Sequence, residues 1–221
     1  MAFTDSLPIA ASGYASDGST GNTNCGNQAQ NLLTDNGTSA TIKRLSEPSG
    51  VFIAGACYAP SIMEVTRFDS ITIPAGATIT GVRFTIECHG VLDNDATGIQ
   101  YQISTDNASS FTTAAGLDVT GMNNYKGLQT QFHTTSTTSE LHGLSWPTSD
   151  SDYDTPLVRF RFTINSGEST GNGISADFIK LRVYYDTAPP RGTYDNTDNT
   201  LAISTGDMTV ANGLIEIKWC Q

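Results

Sequence analysis

The run Phe68-Asp-Ser-Ile-Thr-Ile-Pro-Ala-Gly-Ala-Thr-Ile-Thr-Gly-Val-Arg-Phe-Thr-Ile-Glu-Cys88 constrains the fold more than any other part of this chain. After its Pro-Ala-Gly corner, Val82, Phe84, Ile86 and Cys88 fall on one side, and Arg83, Thr85, Glu87 and His89 on the other. A period of two is the pattern of a strand with one buried face. Pro74 presets its own φ and Gly76 can turn left-handed at little cost, so the corner predicts a tight turn joining two strands.

The same alternation recurs along the chain. It appears in Ile62–Phe68, in Ile99, Tyr101 and Ile103, in Val158, Phe160, Phe162 and Ile164, and in Ile179, Leu181, Val183 and Tyr185. Val51–Ala54 and Ala40–Leu45 are further strand candidates, and a Thr- and Ser-rich stretch from Thr105 to Thr138 shows no helical period. Charged residues make up only 15% of the chain and Gly numbers 21. That composition disfavours long helices and suits short strands with many turns. Strands with one apolar face bury it against a second sheet. The expected fold is therefore all-β: an antiparallel β-sandwich, jelly-roll-like because its connections are long and uneven.

Small polar residues dominate the start, so residues 1–18 read as an extended N-terminal arm and 19–186 as the sandwich. Ala188-Pro-Pro-Arg191 breaks the strand pattern, since adjacent prolines cannot continue a central strand. Residues 187–221 then read as a C-terminal extension. About 35 residues cannot bury a core of their own. The apolar residues Leu201, Ile203, Ile215, Ile217 and Trp219 are thus expected to dock on the main domain or on another subunit.

Net charge is −11, from 22 acidic against 11 basic residues. Phosphate binding needs clusters of Lys and Arg, and Lys43-Arg44 and Arg159-x-Arg161 are too sparse, so nucleic acid is not an expected partner. No window approaches the roughly 20 apolar residues that span a bilayer, so no membrane is expected either. The start, Met1-Ala-Phe-Thr-Asp-Ser-Leu7, has no basic and apolar signal pattern, which leads to an expectation of synthesis in the cytoplasm.

Asp150, Asp152 and Asp154 stand at alternate positions, as in a calcium loop, but without its later Gly and Glu. A solvated turn is the simpler reading. Cys25, Cys57, Cys88 and Cys220 lack CxxC spacing, and free thiols are expected. His89, His133 and His142 have no metal-binding spacing and read as surface or turn residues. Trp146, Trp219, Tyr184 and Tyr185 could stack on sugar rings, but places in the core or at a subunit seam are the favoured reading. No catalytic constellation and no cofactor motif is present, so no enzyme activity is expected.

Three pieces in order carry a resemblance: Tyr14-Ala-Ser-Asp-Gly18, Ile73-Pro-Ala-Gly-Ala-Thr-Ile-Thr-Gly-Val-Arg-Phe-Thr-Ile86 and Ala176-Asp-Phe-Ile-Lys-Leu-Arg-Val-Tyr-Tyr185. Together they resemble a recurrent domain of tailed-bacteriophage and prophage structural proteins, with its "IPAGATITGI" strand–turn–strand and its closing V-Y-Y strand. Leu141-His-Gly-Leu-Ser-Trp146 resembles that domain's "LWG-x-x-W" element, with His142 in place of the first Trp. The resemblance spans roughly residues 14–186. It implies a virion component, such as a head-decoration, connector or tail-associated subunit, and it carries over no catalytic residue. The expected partners are other copies of the chain, as a trimer, and other virion proteins. A virion module that binds a glycan or receptor is the alternative, and a polysaccharide-active enzyme ranks third.

Overall fold

The computed structural model describes residues 1–15, 28–35, 38–44, 57–59, 61–90, 98–119, 122, 130–164, 173–187, 192–195 and 200–203. The alternating segments are strands: β5 (Ser61–Thr66), β6 (Thr78–Gly90), β7 (Gly98–Ser104), β10 (Arg159–Ile164) and β11 (Gly173–Asp186). Shorter strands accompany them: β1 (Ala2–Ser6), β2 (Ala10–Ala15), β3 (Ala40–Arg44), β4 (Cys57–Ala59), β8 (Ala115–Asp118) and β9 (Thr130–His133). Val51–Ala54 lies outside the described residues.

The chain divides into two compact units, Met1–Asp186 and Thr187–Gln221. In the first, one sheet has the order β4-β3-β11-β6-β9, with β1 also on β11, and the other has the order β2-β5-β10-β7-β8. All of these pairs are antiparallel except β3 with β4. Pairing is nested: β7 with β8, β6 with β9, β5 with β10, and β3 with β11.

The two sheets bury their apolar faces against each other. Val82, Phe84, Ile86 and Cys88 of β6 and Ile179, Leu181 and Val183 of β11 meet Met63, Val65, Ile99, Ile103, Phe160 and Phe162 from the other layer. The Phe84 and Phe160 rings stack across the interface, with centroids 4.5 Å apart. The protein is thus an all-β, antiparallel sandwich.

Residues 1–15 depart from the expected arm. β1 pairs with β11 from Ala2↔Tyr185 to Ser6↔Leu181, and β2 pairs with β5. What holds β1 is polar and aromatic rather than apolar, which is why its sequence resembles an arm. The two carboxylate oxygens of Asp5 each accept from Arg182 at 2.6 Å, and the Phe3 ring meets the Tyr184 ring at 6.1 Å.

The stretch before the Pro-Ala-Gly corner also departs from expectation. Among the described residues, Asp69–Ile73 pairs with no strand. Its amides are satisfied by side chains instead: Ser70 N donates to Ser6 Oγ, Thr72 N to Thr4 Oγ1 and Ile73 N to Asp150 Oδ1. Ile71 and Ile73 remain buried, so the period of two survives without a strand. At the corner, Ala77 N donates to Pro74 O, and Gly76 has φ +77°.

The second unit contains β12 (Gly192–Asp195) and β13 (Thr200–Ile203), an antiparallel pair that sets Leu201 opposite Tyr194 and Ile203 opposite Gly192. Ile215, Ile217 and Trp219 lie outside the described residues. Among the described residues, no helix is long and apolar enough to cross a membrane.

Candidate functional site

Two loop segments and the strands β7 and β8 border a cleft of about 410 Å³ at the β7–β8 side of the sandwich. Its lining includes Tyr101 from β7, Ser110, Phe111, Thr112 and Thr113 from the β7–β8 loop, and His142. Among the described residues, no Asp, Glu, Lys or Arg lines it. The volume falls in the range of roughly 300–1,000 Å³ usual for small-molecule sites.

The β7–β8 loop is held by Asp106. Its carboxylate accepts from Ser110 Oγ, Ser110 N and Ser104 Oγ. These bonds, the Ser110 hydroxyl first, lower the Asp106 carboxyl to about 2. Thr112 Oγ1 accepts from Ile103 N, and the Phe111 ring lies 3.5 Å beneath the Arg161 guanidinium. Asn107 and Ala108 take positive φ of 59° and 65°, and on the other wall His142 takes 57°. Left-handed backbone at an Ala or a His is uncommon and persists only where the surroundings impose it.

His142 Nε2 lies 3.0 Å from Val82 O. A carbonyl only accepts, so Nε2 carries the proton and Nδ1 of the neutral ring is an acceptor. Burial pushes the His142 pKa below its ordinary value and favours that neutral form. The lining therefore offers hydroxyls, a neutral imidazole and two aromatic rings, a set suited to a polar, uncharged ligand.

The structure separates the calcium candidates. Asp150–Tyr153 is a short helix (α1), and residues two apart on a helix do not face each other. Asp150 Oδ1 accepts from Ile73 N at 2.6 Å, and Arg67 Nε donates to Asp154 O. Tyr153, fully buried, donates its hydroxyl to Pro147 O. The acidic turn is a clip that fastens the Asp69–Ile73 segment.

A different acidic group forms from three distant positions. One carboxylate oxygen each from Asp35, Glu87 and Asp177 lies within 4.8 Å of the others. Asp177 sits where the β11–β6 register shifts between Ala176 and Phe178, and the extra residue turns its side chain toward Glu87. Oxygen donors of this kind suit a hard divalent cation. No sequence spacing announces the trio, because a bulge and two separate segments create it.

The remaining candidates have structural places. Trp146 is 9% exposed and donates Nε1 to Leu141 O beside Phe84, so it belongs to the core. Tyr184 is covered by Phe3 and by the Arg83 guanidinium at 5.6 Å. Trp219 lies outside the described residues. His89 is 7% exposed on β6 with Nδ1 at Gly90 O, so it is a strand residue rather than a surface one. Cys88 is a free, buried thiol whose pKa burial raises to about 12. Set against protein-family models and curated proteins, the chain matches none.

Proposed function

We propose that this chain is a structural subunit of a bacteriophage virion, a head-decoration, connector or tail-associated protein that is made in the host cytoplasm and acts by self-assembly. The observation that carries this reading is the nested strand order. Four strands run out and four return against them, so that β3, β11, β6 and β9 form one layer and β5, β10, β7 and β8 the other. We read this order as a jelly roll, an arrangement used by viral capsid and lectin domains. The Ile73–Ile86 resemblance to phage structural proteins supports the same conclusion.

The segment that would lock copies together is Thr187–Gln221, a unit too small to carry a core of its own. Deleting it should abolish assembly, measured by light scattering, while circular dichroism still reports a folded β domain. Normal assembly of the truncated chain would overturn the role of this segment.

A second reading, a glycan-binding virion module, is favoured by the uncharged, hydroxyl-lined cleft beside Tyr101, Phe111 and His142. A glycan array, run with and without a chelator, separates the two.

A further inference from the structure

Both walls of the cleft beside Tyr101 are fixed before any ligand arrives. On one wall, Ser110 N donates to Asp106 Oδ1, and Arg159 Nη2 donates to Asn107 Oδ1 at 2.6 Å. Arg161 Nε donates to Gln102 Oε1, and Gln102 Nε2 donates in turn to Thr112 O at 2.8 Å. On the other wall, Leu144 N closes a turn onto Leu141 O, and His142 N donates to Glu140 Oε1 at 2.6 Å. His142 and Gly143 both take positive φ, 57° and 67°. Backbone strain of this kind clusters at ligand sites. A site fixed in advance loses little side-chain freedom on binding.

The Phe111 ring carries a guanidinium on one face, with Arg161 Cζ 3.5 Å from its centroid. Phe111 lines the cleft and Arg161 does not, so the ring stands between that charge and the ligand space. The stacked guanidinium also holds the ring in place. Ser110, Thr113 and Gly143 of the same lining are exposed, so the cleft is open to solvent.

Several polar atoms of the lining keep hydrogen-bonding capacity. Ser110 Oγ gives its proton to Asp106 and retains lone pairs to accept. Thr112 Oγ1 accepts from Ile103 N and retains its proton to donate. His142 Nε2 donates to Val82 O, and among the described residues no protein donor reaches Nδ1. The Tyr101 hydroxyl is committed to Thr134 O, and its ring stands at right angles to the imidazole with centroids 6.3 Å apart. The cleft thus sets a flat apolar ring beside uncharged donors and acceptors.

We propose that this cleft binds a neutral pyranose residue of a glycan and rejects uronic and sialic acids. The proposal rests on the glycan-binding reading and names the sugar class and its contacts. A pyranose has an apolar C–H face and a rim of hydroxyls that both donate and accept. Its C–H face lies on Phe111, and its hydroxyls reach His142 Nδ1, Ser110 Oγ and Thr112 Oγ1. A carboxylate sugar loses hydration and finds, among the described residues, no Lys or Arg in the lining to replace it. It also approaches a chain of net charge −11.

The test uses the full chain in saturation-transfer NMR. The probes are the methyl glycosides of glucose, galactose, mannose and N-acetylglucosamine, and those of glucuronic and galacturonic acid. Transfer is expected to at least one neutral glycoside and to neither uronic acid. The nitrogen resonance of His142 Nδ1 should shift as the neutral sugar binds. Phe111→Leu keeps an apolar side chain but removes the ring, and it should weaken binding about tenfold or more. Phe111→Trp should retain binding, and circular dichroism checks that both variants are folded. Uronic acids that bind as well as their neutral parents, neutral binding that Phe111→Leu leaves unchanged, or a His142 signal that stays still would each overturn the proposal and leave the glycan-binding reading standing. Absence of transfer to every neutral glycoside would overturn it too, and a glycan array without hits would then remove that reading with it.

Discussion

Gly81 shows how one residue type can be demanded by an approach of chain to chain. A Cβ built there would lie 2.2 Å from Thr138 O and 2.9 Å from Ser139 N, both backbone atoms. Segment 138–140 crosses β6 at this point and fastens to it, with Val82 N donating to Glu140 O at 2.7 Å. Gly81→Ala should therefore cost roughly 1–3 kcal/mol by overpacking, read as a lower urea midpoint. Gly116→Ala is the control, since its Cβ would meet nothing within 4 Å, and it should leave the midpoint nearly unchanged. The glycine of the Thr80-Gly-Val pattern was visible in the sequence, but its reason was not. The reason lies in a segment more than 50 residues away.

Strands that bury a full apolar face were legible, and strands held by other means were not. β6, β7, β10 and β11 could be read because Val, Ile and Phe repeat every second residue and meet partners of the same kind. β1 escaped because its grip is a carboxylate on Arg182 and a ring on Tyr184. β8 and β9 escaped because each buries a single side chain, Leu117 and Phe132. Asp69–Ile73 misled in the opposite direction: its isoleucines alternate into the core while its amides bond to Ser6, Thr4 and Asp150. This gives α1 a mechanical role. Asp150→Ala removes the acceptor of Ile73 N and should cost about 1–3 kcal/mol, measured by chemical denaturation, whereas Asp150→Asn keeps an acceptor and should cost less. Equal losses in the two variants would show that charge, not the hydrogen bond, holds the segment. The cleft was illegible for a related reason: its walls come from the β7–β8 loop and from residues 142–144, which only the folded chain brings together.

Across the whole molecule, acid should weaken the fold in two stages. His133 and His142 have folded pKa values below the ordinary 6.5. The unfolded chain therefore takes up protons first, and stability that is complete above pH 6.5 declines as pH falls through the folded values. Asp106, lowered from 3.8 to about 2, adds a second decline between those two limits. Melting temperatures across this range should show His142→Gln flattening the upper stage and Asp106→Asn the lower. Parallel curves for variant and wild type would contradict the assignment. The strand order also has a bearing on how the protein is made. β11 is the middle strand of the path β4-β3-β11-β6-β9, and β10 is the middle strand of the other layer. Both are the last strands of the unit to leave the ribosome. A nascent chain halted before Arg159 holds only flanking strands with nothing between them, so neither layer can close until translation has passed Asp186.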